Sequence, residues 1–138
     1  MTIVIPSPPE APGGYVGLGD EIDVQRRLTV AYIDTKPVMI TLIPRVRAKK
    51  LTGGFAFQEM TPRSPQKMRL IEPYHGTLPI MLTGSDGVQR EMEMMLLGRW
   101  DCDLEKYDIF EYSGQAYEVA QLYFFNGYEQ RAEVIRFG

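Results

Sequence analysis

Three acidic residues, Asp101, Asp103 and Glu105, have the spacing of the ligands that open a calcium-binding EF-hand loop. Such a loop also needs glycine at its sixth position, for a sharp turn, and glutamate at its twelfth position, as a bidentate ligand. The corresponding positions of this chain hold Lys106 and Tyr112. The segment is therefore expected to be a solvated acidic loop and not a calcium site.

Catalysis by a nucleophile or by a metal ion would find little material in this sequence. The chain contains one histidine, His75, and one cysteine, Cys102. A nucleophile needs a base beside it, and a catalytic metal needs several ligands. The glycine-rich segment 13–19 is not followed by the Gly-Lys-Ser/Thr sequence of a phosphate-binding loop. We expect no enzymatic activity, no cofactor and no metal site.

Basic and acidic residues concentrate in separate parts of the chain. Basic residues are frequent in the segment 45–69, whereas acidic residues are frequent in the segment 101–111. This separation suits head-to-tail contact between identical copies, in which one patch meets its complement on the next subunit. Ordinary charged surfaces would give the same pattern. The basic segment also suits contact with DNA phosphates, although the net charge of −3 argues against a protein devoted to binding nucleic acid.

Length and composition indicate one globular domain and no membrane association. The chain has 138 residues, which is the usual size of a single domain. Its first ten residues lack the basic residues and the long apolar run of a signal peptide. The longest apolar stretch, 94–97, is far shorter than the roughly 20 residues that cross a bilayer. A single cysteine cannot form an internal disulfide, which fits a reducing compartment.

Residues 1–24 are expected to form an extended N-terminal arm. Prolines and glycines are frequent in the first twenty positions and favour a polyproline-like conformation. Tyr15 and Val16, together with the segment 3–5, supply apolar groups that a purely solvated tail would not need. Two states therefore stay open for this arm: a disordered tail, or a segment that becomes ordered on a neighbouring subunit.

Residues 25–138 are expected to form an all-β domain, a small barrel or sandwich. Short runs of β-branched and aromatic residues alternate with turn signals every 8–12 residues or so. The segment Val38–Val46 is apolar on both of its faces, and Pro44 within it indicates an edge position or a bulge. The other predicted strands are Arg27–Ile33, a short strand with Phe55 and Phe57 on one face, Lys67–Glu72, Leu78–Leu82 and Val88–Leu97.

The C-terminal third carries the clearest strand signals. Ser113-Gly114 separates the segments 109–112 and 115–124, which indicates a tight hairpin. Asn126-Gly127 then predicts a second hairpin with a type I′ turn, in which both central residues have positive φ. Three consecutive strands would thus form a meander. Trp100, which precedes this region, fits either a core position or an interface position.

Three stretches of this region resemble a known protein family. They are LGRWDCDLE (97–105), YDIFEYSGQAYEV (107–119) and FNGYEQRAEV (125–134). The chain resembles the head-to-tail stopper, or head-closure, proteins of long-tailed phages, particularly those of actinobacterial hosts. The resemblance covers roughly residues 25–138. The final hairpin of such proteins has the form D-x-F-x-x-x-G-x-x-Y-x-V, which this chain matches with Asp108, Phe110, Gly114, Tyr117 and Val119.

The resemblance implies a structural role in the phage neck. Such proteins assemble into a ring, here expected as a hexamer with a dodecamer as the alternative, between the portal with its head-to-tail adaptor and the tail with its terminator. The ring closes the exit channel after DNA packaging, contacts the packaged DNA and docks the tail. The protein would then be located in the virion, after assembly in the host cytoplasm. The proline-rich arm is expected to bind neighbouring subunits or the adaptor.

The resemblance also implies which residues act. A loop that points into the channel would correspond to residues 49–66. Its candidate residues are Lys49, Lys50, Gly53, Gly54, Phe55, Phe57 and Arg63. The candidate subunit interface comprises Tyr15, Val16, Arg45, Arg47, Trp100, Asp101, Asp103 and Glu105.

Two other functions remain open at this point. The first is a different phage component of similar β-architecture, such as a tail terminator or a tail tube protein. The second is a small β-barrel that binds nucleic acid, whose signature would be a basic face interleaved with aromatic side chains.

Overall fold

The computed structural model describes residues 18–73 and 78–138. Tyr15 and Val16 of the predicted interface, and the single histidine His75, lie outside these residues. The described chain begins with one α-helix, α1 (Leu18–Thr35). Ten strands follow: β1 (Val38–Ile40), β2 (Arg45–Lys49), β3 (Phe55–Glu59), β4 (Gln66–Ile71), β5 (Met81–Thr83), β6 (Gln89–Glu91), β7 (Met94–Arg99), β8 (Ile109–Tyr112), β9 (Gln115–Leu122) and β10 (Glu129–Arg136).

Helix α1 corrects one sequence-based prediction. The sequence pattern predicts a strand over Arg27–Ile33, but this segment lies within the helix. Thr29 and Ile33 are buried and Val30 is half-buried, a spacing that places one face of a helix on the sheet. The helix ends just before Pro37, which disfavours helical geometry in the residue that precedes it. The first residues of α1, 18–24, belong to the segment predicted as the arm.

Six strands form one antiparallel sheet in the order β1-β4-β7-β10-β9-β8. Ile43, in the segment that follows the outer strand β1, forms a bridge with Ile109 of the other outer strand, β8. In that bridge Ile43 N donates to Ile109 O at 2.8 Å, and Ile109 N donates to Ile43 O at 3.0 Å. The sheet is therefore a nearly closed barrel. The all-β fold class and the C-terminal meander β8-β9-β10 are confirmed.

The core fills the interior of this barrel. Its side chains come from all six strands of the sheet and from the segments that follow β1 and β7. Ten residues form the central cluster: Ile40, Leu42, Met68, Leu96, Leu104, Phe110, Tyr117, Val119, Ala132 and Val134. Phe110 and Tyr117 stack at a centroid distance of 5.6 Å across the β8–β9 pair. Burial of this apolar set is the main force that holds the barrel together.

Of the two predicted C-terminal turns, the tight hairpin at Ser113-Gly114 is confirmed and the turn at Asn126-Gly127 is of a different type. Ser113 and Gly114 have φ of 55° and 79°, so this tight hairpin uses the two left-handed residues of a type I′ turn. Asn126 lacks a positive φ, and the loop between β9 and β10 spans residues 123–128. The predicted type I′ turn at Asn126-Gly127 is therefore wrong. Instead, Asn126 Oδ1 accepts hydrogen bonds from the backbone N–H of Tyr128 at 3.0 Å and of Glu129 at 3.1 Å.

The predicted strand Val38–Val46 is divided in two. Pro44 separates the barrel residues that end at Ile43 from strand β2. Proline has no N–H to donate to a ladder, so the chain leaves the barrel at this point. Two further pairs, β2–β3 and β5–β6, each form a separate two-stranded sheet.

Candidate functional site

The β2–β3 hairpin is the most distinctive surface feature of the described chain. Its strands pair with each other, and neither pairs with a strand of the barrel sheet. Three cross-strand pairs, Arg45 with Glu59, Arg47 with Phe57 and Lys49 with Phe55, lie on one face, because alternate residues of a strand point to the same side. This face of the hairpin therefore interleaves cations with aromatic rings.

The base of the hairpin is anchored by Arg45. Its Nε donates to Tyr107 O at 2.8 Å, and its Nη2 lies 3.4 Å from Glu118 Oε2 and 3.0 Å from Ser85 Oγ. The Arg45 and Glu118 side chains are only 5% and 2% exposed. The Arg45 guanidinium also lies between two rings, 5.0 Å from the centroid of Phe57 and 4.7 Å from that of Phe137.

Ser85 completes this anchor from the turn between β5 and β6. Its backbone N–H donates to Glu118 Oε2 at 2.8 Å, and its Oγ lies 3.1 Å from Glu118 Oε1. Each carboxylate oxygen of Glu118 thus has a hydrogen-bond partner, and one of them also faces the guanidinium of Arg45. A buried ion pair needs such additional hydrogen bonds to offset its loss of hydration. The anchor therefore joins the hairpin, the β5–β6 turn and β9.

A second anchor fixes the segment that returns from the hairpin to the barrel. Arg63 Nη2 lies 3.3 Å from Asp108 Oδ2 and 3.1 Å from Glu105 Oε1. Arg63 N donates to Leu42 O at 2.9 Å, which holds the backbone as well. Burial raises the pKa of the Asp108 carboxyl, against the opposing effects of a hydrogen bond from Glu105 N and of the Arg63 charge. Arg63 therefore acts as an internal structural residue.

The far end of the hairpin has no such anchor. We call Arg47, Lys49, Lys50, Leu51 and Phe55 the hairpin tip. All five are exposed, and none of the three cations forms a salt bridge with another described residue. The Arg47 guanidinium lies 4.5 Å from the centroid of the Phe55 ring, which is 56% exposed. The tip thus offers positive charge and apolar surface together.

The turn of the hairpin tip depends on its two glycines. Gly53 and Gly54 have φ of 95° and 76°, a backbone conformation that other residues rarely adopt. Lys50 N donates to Gly54 O at 2.9 Å, and Gly53 N donates to Lys50 O at 3.1 Å. Of the residues predicted for a channel loop, the structure therefore places Lys49, Lys50, Gly53, Gly54 and Phe55 at or next to this turn. Phe57 and Arg63 lie nearer the barrel, in the two anchors.

A groove of about 570 Å³ separates the hairpin from the β5–β6 turn. Arg47, Lys50 and Phe55 contribute to one wall, and Asp86 contributes to the other. Two hydrogen bonds from the Arg90 guanidinium, at 2.8 and 3.0 Å, help to lower the pKa of Asp86 to about 2. The cations on the hairpin side are suited to phosphate or carboxylate groups, and the Phe55 ring is suited to stacking.

The predicted interface charges are largely satisfied within the subunit. Asp101 pairs with Arg99 at 3.1 Å, and Glu105 pairs with Arg63. The backbone of Asp103 exchanges two hydrogen bonds with the Gln66 side chain, at 2.8 and 3.0 Å. Arg45 is corrected from a surface residue to a buried one, because Glu118 holds it inside the protein.

Four of the predicted interface residues are exposed in the structure: Arg47, Asp101, Asp103 and Glu105. Trp100 is half-buried. The Trp100 ring lies between two guanidinium groups, those of Arg26 at 4.8 Å and Arg99 at 4.6 Å from its centroid. Sequence reasoning brings neither Ser85 nor Glu118 into the site. Glu118 alternates with apolar neighbours in β9, a pattern that predicts a solvent-facing residue.

No cluster of three or more histidine, cysteine, aspartate or glutamate side chains within the described residues is arranged to hold a metal ion. Helix α1, the one helix in the described part of the chain, does not combine the length and the apolar character needed to cross a membrane. No protein-family model matches the chain, and a search of curated proteins gives no significant match.

Proposed function

We propose that this protein is a structural component of the phage neck, a ring-forming stopper between the portal with its adaptor and the tail. In this role a hexameric ring, or alternatively a dodecameric one, closes the exit channel after packaging, retains the DNA and docks the tail with its terminator. The protein is then a part of the virion that is assembled in the host cytoplasm.

The hairpin tip is the observation that supports this proposal best. An element that closes a DNA channel needs a fixed base and a free end that tolerates phosphate groups. The two anchors of the hairpin, Arg45 with Glu118 and Arg63 with Asp108, supply the fixed base. The exposed cations and Phe55 at the tip supply the free end. The hairpin also lies within residues 49–66 and their flank, where the resemblance implies a channel loop.

The residues that carry the resemblance have structural roles in the barrel. Asp108 is buried beside Arg63, Phe110 stacks on Tyr117, and Val119 lies in the core. Gly114 occupies the second left-handed position of the β8–β9 turn. The matching pattern therefore supports a shared fold. The assignment to the neck depends on the resemblance together with the hairpin.

Electron microscopy tests the proposal directly. Purified protein, and virions decorated with an antibody against it, should show six-fold rings at the junction of head and tail. A phage that lacks the gene should produce separate tails and heads that leak DNA. Label in the tail tube or in the capsid shell would contradict the proposal. Full heads without tails would instead favour a tail terminator or tail tube protein.

A second function, nucleic-acid binding by the isolated barrel, is favoured by the basic and aromatic face of the hairpin. Fluorescence anisotropy with short duplex and single-stranded DNA tests it. The variant Lys49→Ala/Lys50→Ala should bind DNA more weakly. The slope of the logarithm of its association constant against the logarithm of the salt concentration should be smaller in magnitude by about 2, because each lysine that no longer pairs with a phosphate removes roughly one unit. Lys36→Ala/Lys106→Ala is the matched control. Equal affinities of the two variants would contradict a role of the hairpin tip.

A further inference from the structure

Trp100, the single tryptophan of the chain, lies where two surface crevices meet. One crevice, of about 320 Å³, is lined by Trp100, Leu122, Tyr123, Phe125, Gln130 and Arg131. The other, of about 560 Å³, separates Trp100 from α1, whose Arg26, Arg27 and Val30 contribute to its wall. Trp100 is the residue that lines both crevices. We call the two together the Trp100 crevice.

The Trp100 crevice is rich in exposed aromatic surface. Tyr123 is 44% exposed and Phe125 is 54% exposed, although large apolar groups usually find cover in a folded protein. The loop that carries them is nevertheless held in place. Asn126 Oδ1 accepts two backbone hydrogen bonds within the loop, and Arg26 Nε donates to Gly127 O at 3.0 Å. The aromatic wall is therefore preformed.

We propose that the Trp100 crevice binds the proline-rich segment 6–12 of the same chain. This segment, PSPPEAP, has proline at four of its seven positions and favours the polyproline II helix. Aromatic-lined grooves bind such helices because a proline ring packs on an aromatic face and the preformed helix loses little entropy. Seven residues of polyproline II span about 22 Å, so the segment covers more than one aromatic ring.

The length of the chain permits this placement. The described helix begins at Leu18, and its first turns lie beside the aromatic loop. A Cβ added to Gly127 would lie only 3.5 Å from Ile22 Cδ1. The five residues 13–17 span up to about 17 Å when extended. Pro12 can therefore reach the crevice, and the short connection gives the segment a high effective concentration there.

Charge and hydrogen bonding favour the same occupant. Glu10 is the only charged side chain in residues 1–17. Arg27 is exposed on the α1 wall of the crevice and forms no salt bridge with another described residue. The Trp100 indole N–H, which can only donate, has no acceptor among the described residues. A polyproline II helix leaves its carbonyl groups unpaired, so it can provide that acceptor.

Trp100 fluorescence tests the proposal in the full-length protein, since no second tryptophan contributes to the signal. The variant Pro8→Ser/Pro9→Ser/Pro12→Ser should shift the emission to longer wavelength. Acrylamide should then quench it about twofold more strongly, because the edge of the indole that carries the N–H loses its cover. Pro79→Ser, an exposed proline ahead of β5, is the matched control. Unchanged emission in the proline variant, with an unchanged circular dichroism spectrum, overturns the proposal.

A charge exchange identifies the partner of Glu10. Glu10→Arg should produce the same red shift by repulsion from Arg27, and Glu10→Arg/Arg27→Glu should reverse it. Failure of the double variant to restore the emission overturns the Arg27 contact. A dilution series distinguishes binding within one chain from binding to a neighbouring subunit. The resemblance implies a neighbouring subunit as one partner of the arm. Emission that depends on protein concentration would place the segment on a second copy and overturn the same-chain assignment.

Discussion

Arg45 and Glu118 form an ion pair inside the protein, with Arg45 Nη2 3.4 Å from Glu118 Oε2 and both side chains at most 5% exposed. Arg45 is the first residue of the hairpin strand β2, and Glu118 lies in the barrel strand β9. The pair therefore determines how the hairpin leaves the barrel. Stability of the protein and position of the hairpin tip should depend on the same contact.

Arg45→Met should destabilise the protein strongly. Methionine retains much of the side-chain volume but leaves the Glu118 carboxylate buried without a cation, which typically costs about 3–5 kcal/mol. Urea denaturation monitored by circular dichroism measures this destabilisation. Arg45→Met/Glu118→Leu should recover most of it, because the second change removes the unpaired charge.

Asp101→Asn, which breaks the exposed pair with Arg99, should change the free energy of unfolding by less than about 1 kcal/mol. Equal destabilisation by Arg45→Met and Asp101→Asn would contradict a buried anchor.

The β8–β9 turn offers a stabilising substitution. Ser113 has φ of 55°, and asparagine tolerates this conformation better than serine in a type I′ turn. Ser113→Asn should therefore raise the free energy of unfolding by about 0.5 kcal/mol. Ser113→Val should lower it by about 1 kcal/mol. Thermal denaturation of both variants against the wild type gives the order. A more stable valine variant would contradict the turn type.

Close packing around Gly98 predicts that alanine at this position destabilises the protein. A Cβ at this position would lie 2.6 Å from Cys102 Sγ and 3.1 Å from Met68 Cε. Gly98→Ala should destabilise the protein by about 1–3 kcal/mol through overpacking. Cys102→Ala removes the sulfur, so the double variant should be more stable than the sum of the single changes predicts. Additive effects in a double-mutant cycle would show that Cys102 is not the group that alanine meets.

The Cys102 thiol should react slowly in the folded protein. Burial, reinforced by the neighbouring carboxylates Asp101 and Asp103, raises the pKa of Cys102 to about 12. The thiolate is the reactive form, so modification by a disulfide reagent at pH 8 should be more than about a hundredfold slower than in concentrated urea. A native rate equal to that of an unfolded control would contradict the burial of this side chain.

Much of the β-domain could be predicted from sequence because its signals are local. Ser113-Gly114 marks a turn by its own backbone preferences, and alternation around Tyr117 and Val119 marks a strand that directs these two side chains to the core. The Asn126-Gly127 signal predicts a hairpin correctly but the turn type wrongly. The Asn126 side chain caps the backbone of the loop 123–128 instead.

The remaining features depend on contacts between distant parts of the chain. Helix α1 contains six β-branched residues and one tyrosine, and its helical state depends on packing Thr29 and Ile33 against the sheet. Glu118 is charged and alternates with apolar residues, so no local pattern predicts its burial. Its partners, Arg45 and Ser85, lie 73 and 33 positions away in the sequence.

Asp108 makes the stability of the protein depend on pH. The sign of this dependence shows whether burial or the ion pair with Arg63 has the larger effect on the pKa of Asp108. Burial, the larger effect, raises the pKa of Asp108 above its ordinary value of 3.8, whereas Arg63 and the Glu105 N–H lower it. A carboxyl with a raised folded-state pKa binds more protons in the folded state. Its contribution to stability is then full below pH 3.8 and is lost as the pH rises through the folded-state pKa.

Asp108→Asn does not titrate, so its free energy of unfolding relative to wild type should increase between about pH 3 and 7. Glu111→Gln, which removes an exposed carboxylate of β8, is the matched control for the loss of one acidic side chain. The opposite slope for Asp108→Asn would mean that the ion pair with Arg63 outweighs burial.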